Sequence, residues 1–136
     1  MTDMATALCQ HLLADAAITA IIDDRVFPQE ADAEAQSPRI LYMRVSSGAR
    51  DGLTTDGPTQ YFRALYQLDL FARSKDDLTA LETAVRAAMD HQISQVWTGV
   101  RVMASFLLDE RDVAFDPAAN LHSVQHDYRI EFQTGD

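Results

Sequence analysis

The sequence predicts an α+β fold: an antiparallel or mixed β-sheet of about four strands, with two or three helices packed on one face. Three observations predict it. Residues Tyr61–Ala72 alternate between an apolar and a mixed face for longer than an ordinary strand. The next segment, from Lys75 to Met89, repeats apolar residues at helical spacing. Two later runs, residues 100–109 and 123–133, alternate with period two again.

Size and composition fit one domain spanning residues 1–136, with 47% hydrophobic residues. A domain of this size buries roughly two-thirds of its unfolded surface and needs neither disulfides nor metal to fold. The single cysteine, Cys9, excludes an intrachain disulfide and reads as a small buried hydrophobe. Eleven Lys and Arg against 21 Asp and Glu give a net charge of −10, spread along the chain. That balance opposes sequence-independent binding to a phosphate backbone, which depends on cationic side chains. The N-terminus has no basic region and no sustained apolar run, and no apolar stretch approaches about 20 residues. The expectation is a protein made and folded in the cytoplasm, without a membrane partner.

The elements follow in order. Asp3 caps a first helix carrying Leu8, Leu12 and Leu13, and Asp15 caps a short second one carrying Ile18, Ile21 and Ile22. Asp23 and Asp24 end it, and Phe27 before Pro28 is extended. Residues 29–37 read as an exposed loop, and residues 40–45 as a strand buried on both faces. Residues 46–60, with Gly48, Gly52, Gly57 and Pro58, form a loop of about 15 residues; that length marks either a plain mobile connection or an assembly arm. In the long strand, Phe62, Ala64, Tyr66, Leu68, Leu70 and Ala72 face the helices. Ser74, with Asp77 three residues on, starts the clearest helix, whose Leu81 and Val85 face the sheet. Val102 and Phe106 in the next strand, and Val124, Tyr128 and Ile130 in the last, complete the core face. Residues 109–120 read as a turn.

No constellation with chemistry emerges. His122 and His126 share a face of the last strand but lie roughly 13 Å apart, too far for one ion. Asp90 and His91 are adjacent and point apart. Asp109, Glu110, Asp112 and Asp116 lack calcium-loop spacing and read as a solvated acidic turn. The Gly48 and Gly52 region lacks the ending of a phosphate loop. Trp97 is read as packing against the second helix, ahead of anchoring an interface. The chain is therefore read as a non-enzyme, with no catalytic residue, no metal ligand and no cofactor.

The run Leu12-Leu13-Ala14-Asp15-Ala16-Ala17-Ile18, then Asp24-Arg25-Val26-Phe27-Pro28, resembles the start of the tail completion proteins of long-tailed bacteriophages and their prophage and gene transfer agent relatives. The likeness continues through Asp56-Gly57-Pro58, the strand from Arg63 to Arg73, the helix ending Ala87-Ala88-Met89, and Asp127-Tyr128-Arg129-Ile130. The resemblance implies a tail terminator. Such a subunit forms a ring, commonly a hexamer, at the head-proximal end of the tail tube. The ring would contact the tail tube protein and the head connector or stopper protein, in a phage-like particle assembled in the host cytoplasm.

Two residue-level readings agree with that implication. Leu65, Phe71, Met103 and Leu107 sit among polar residues on the second sheet face, a mixture suited to partial burial by a neighbour. An acidic protein also suits a channel through which DNA passes without specific binding. The expected interface residues are Arg63, Gln67, Asp69, Arg129 and Glu131 on the sheet, with Gly48, Arg50, Asp51 and Thr55 on the loop. The alternative is a small homo-oligomeric α+β module that binds a ligand or regulates a partner.

Overall fold

The computed structural model describes residues 3–28, 38–49 and 61–133. The predicted loop over residues 29–37, and residues 50–60 of the longer loop, lie outside them. Helix α1 (Met4–Leu13) begins where the Asp3 carboxylate accepts the Thr6 N–H at 2.7 Å, and α2 (Ala16–Ile22) begins where Asp15 accepts that of Ile18 at 3.1 Å. The two meet at 81°, so they are separate helices, and no single helix is long and apolar enough to cross a membrane. Helix α3 (Lys75–Met89) starts at Ser74, whose hydroxyl accepts the Asp77 N–H at 3.1 Å, as predicted.

The strands are β1 (Val26–Pro28), β2 (Arg39–Ala49), β3 (Tyr61–Ala72), β4 (Gln92–Trp97), β5 (Val100–Asp116) and β6 (Leu121–Gln133). They form one sheet of six strands in the order β1-β2-β3-β6-β5-β4. The sheet is mixed, because β1 runs parallel to β2 and every other pair is antiparallel. Leu68, Leu70, Val124, Tyr128 and Ile130 are fully buried beneath Leu8, Leu12, Leu81 and Val85 of the helices, in one core.

The expected count of about four strands is therefore low by two. β1 is three residues long, too short for any periodicity to show. β4 is an edge strand that leaves Ile93 and Val96 exposed and carries Ser94 at φ 53°, so its alternation is broken. The long loop also starts later than expected, since residues 46–49 continue β2 and pair with residues 62–65.

β5 departs most from its sequence pattern. The register shifts between Val102 and Ala104, and again between Leu107 and Asp109, so Met103 and Leu108 are extra residues in bulges. Each bulge reverses which side of the sheet the following residues face. Phe106, expected in the core, sits opposite Arg129 on the outer face, and Leu107 packs on the core instead. The predicted turn over residues 109–120 shrinks to residues 117–120, where the Asp116 carboxylate accepts the N–H groups of Ala118 and Ala119. The acidic residues before it lie on a strand rather than in an acidic turn.

Candidate assembly surface

The sheet face away from the helices carries the predicted interface set. Register pairs Arg63 with Glu131, Leu65 with Arg129, Gln67 with Asp127 and Asp69 with Gln125, so the five predicted sheet residues share that face. They are not simply displayed to solvent. Arg63 Nε lies 3.3 Å from Glu131 Oε1, and Gln67 Nε2 donates to Asp69 Oδ1 at 2.9 Å. Asp69 is buried at 5% exposure. The Arg129 guanidinium stands 5.9 Å over the Phe106 ring, and its Nε is buried with no hydrogen-bond partner among the described residues. Gly48 lies in β2 opposite Arg63, with open space where a Cβ would be. Arg50, Asp51 and Thr55 lie outside the described residues.

Arg111 organises this face, and the sequence analysis missed it by placing it in a turn. Its guanidinium donates to Asp127 at 2.6 and 3.1 Å and to Asp109 at 2.7 Å, with Gln125 at 3.4 Å. These acceptors, Asp127 first, raise its affinity for the proton, so it stays cationic at any accessible pH. Extension of β5 to Asp116 is what sets Arg111 opposite Gln125 and beside Asp127.

Apolar side chains crowd the ends of the sheet that other strands leave uncovered. Met43 and Val45 are exposed on β2, and Leu108, Val113 and Phe115 on the distal half of β5. Trp97, by contrast, is buried, in agreement with a packing role, but the ring it stacks on is His11 of the first helix, α1, not the second.

On the helix side, His126 meets two carboxylates that the sequence does not place near it. His126 Nε2 lies 3.2 Å from Glu82 Oε1 of α3 and 3.8 Å from Glu110 Oε1 of β5. Glu110 also binds Arg86, at 2.6 Å. A helix and a bulged strand bring these carboxylates to His126 from distant positions. His122 instead packs on Phe115, with ring centroids 4.4 Å apart. Asp90 and His91 do contact, at 3.2 Å, where the Asp90 carboxylate also accepts the Leu107 N–H at 2.9 Å and ties the end of α3 to β5.

Comparison with known proteins agrees with this architecture. No curated protein sequence matches significantly. Among solved structures, a chain from the virion of a native gene transfer agent particle shares the fold, with TM-score 0.66 and 16% identity over 96% of this chain and 95% of that one. Residues 6–133 match the family described as tail completion protein gp17. The match spans the whole sheet and all the helices but the first two residues of α1: the chain belongs to the gp17 family of tail completion proteins, structural components of phage tails.

Proposed function

We propose that the chain is a ring-forming tail terminator, which caps the head-proximal end of the tail tube and joins it to the head connector. Its membership of a tail completion family supports the place in the particle, and the fold it shares with a chain of a gene transfer agent virion is in keeping with it.

A pair of open strand edges carries the ring. On one side of the sheet, β1 covers β2 over residues 40–42 only, so the edge of residues 43–49 away from β3 has no strand against it among the described residues. On the other side, β4 covers β5 over residues 100–105, leaving residues 106–116 likewise open. The two edges face opposite ways and lie toward opposite ends of the sheet. An open edge presents unpaired N–H and C=O groups that template pairing with another chain. One edge of each copy meeting the other edge of the next is a heterologous contact, which generates a closed ring when the rotation closes. The exposed Met43 and Val45 on one edge, and Val113 and Phe115 on the other, add apolar area to that contact.

The ring reading includes six copies, as the family resemblance implies, with the tail tube protein and the head connector as axial partners. Duplex DNA passes through the hole, and the net charge of −10 keeps it from sticking.

The test is a disulfide ladder. In a Cys9→Ala background, Val45→Cys and Val113→Cys together should give oxidised multimers up to one ring size on a non-reducing gel. Either substitution alone should give at most dimers. Filter binding of duplex DNA should stay weak at low salt. A chain that remains monomeric at every concentration, while particles lacking it still carry joined tails, overturns the reading.

A further inference from the structure

We propose that Glu82, Glu110 and His126 form a binding site for one divalent transition-metal cation of the zinc class, which clamps α3 to the β5–β6 arm. Three separate elements supply one donor each, and the three donor atoms lie within 4.8 Å of one another. A tetrahedral zinc with bonds near 2.0–2.1 Å sets its donors about 3.3 Å apart. The separations of 3.2 and 3.8 Å from the imidazole to the two carboxylates bracket that edge.

The histidine distinguishes this cluster from a solvated acidic patch. His126 is fully buried, at 0% exposure, and its Nε2 points at both carboxylates. Its other nitrogen is fixed by a neighbour: Nδ1 lies 3.0 Å from the Tyr128 hydroxyl. Metal-bound histidines are held in this way through the nitrogen that does not bind the ion. Without a cation, Nε2–H donates to Glu82 and Tyr128 donates to Nδ1. With a cation, the ring takes the Nδ1–H tautomer, Tyr128 accepts, and the Nε2 lone pair binds the ion. The side chains of Glu82 and Glu110 are 21% and 37% exposed, so the cation has an entry path and a water can take the fourth position.

One imidazole and two carboxylates suit zinc or cobalt better than magnesium or calcium, which favour all-oxygen sets. Arg86 holds Glu110 Oε1 at 2.6 Å and competes with the cation for that carboxylate. This is the same oxygen that lies 3.8 Å from His126, so the cation binds there by displacing Arg86.

The experiment titrates the purified full chain with Zn2+ by calorimetry and with Co2+ by visible spectroscopy. One equivalent per chain is expected, with tetrahedral-type Co2+ bands, a rise in melting temperature with Zn2+, and reversal by chelator. Glu110→Gln, at a partly exposed position, should fold normally and bind at least tenfold more weakly. Tyr128→Phe should weaken binding by roughly 10–100-fold, as loss of an outer hydrogen bond to a ligand does. Arg86→Gln should tighten it. His122→Asn should leave binding unchanged. Absence of saturable binding overturns the proposal, as does a Glu110→Gln variant with unaltered affinity or a His122→Asn variant that loses the ion.

Discussion

The His11 ring lies flat on the Trp97 ring, with centroids 3.9 Å apart and planes within 7°. The same imidazole donates from Nε2 to the Ala88 carbonyl at 2.8 Å, near the end of α3. One side chain thus joins α1, α3 and the end of β4. It also satisfies a carbonyl that the helix end leaves without an intrahelical partner.

Stability should therefore depend on pH through His11. Burial, outweighing the Ala88 bond and the Asp15 charge, holds its pKa below the ordinary 6.5. As pH falls through that value, the unfolded chain takes up a proton before the folded one does. The contribution is full above about pH 7 and is lost as pH falls through 6.5 toward the depressed folded value. Melting temperature should decline over that window. His11→Phe keeps the stack and should flatten the decline relative to the parent; an unchanged profile would falsify the assignment.

Ser105→Ala should stabilise the protein. The bulge at Met103 turns Ser105 into the core opposite Ile130, where it is fully buried and its hydroxyl finds no partner among the described residues. Burying such a group costs about 1–3 kcal/mol by mutational measures, so its removal should gain on the order of 1 kcal/mol. Urea unfolding measures this, and a loss of stability would count against the side-chain placement.

Leu68→Ala and Phe106→Ala separate the two faces of the sheet. Leu68 is fully buried, so its truncation should cost about 2–5 kcal/mol. Phe106 lies on the outer face against Arg129 and His91, and its truncation should cost clearly less. Equal losses in denaturant unfolding would put Phe106 back in the core.

Assembly should be separable from folding at the distal end of β5. Val113 and Phe115 are exposed in the single chain, so Val113→Asp with Phe115→Asp should leave its unfolding free energy within about 1 kcal/mol of the parent. The same pair should abolish oligomers in light scattering. Intact oligomers would show that the contact lies elsewhere.

Local chemistry was legible in the sequence. Ser74, Asp15 and Asp3 each bind a backbone N–H three residues on, so no distant part of the chain is needed to place these helix starts. The faces of β3 and β6 were legible as well. Neither carries a bulge where they pair, so period two runs uninterrupted from Tyr61 to Ala72 and the predicted outer residues share one face. What only the tertiary structure decided is wherever an element depends on a distant partner. The extra residues Met103 and Leu108 exist only relative to the register of β6, and the one at Met103 sends Phe106 outward and Leu107 inward. Arg111 gains its role from Asp127 and Gln67, and His126 meets Glu82 across 44 positions of sequence. A side chain's periodicity records the strand it belongs to, while its neighbours are set by closure of the whole sheet.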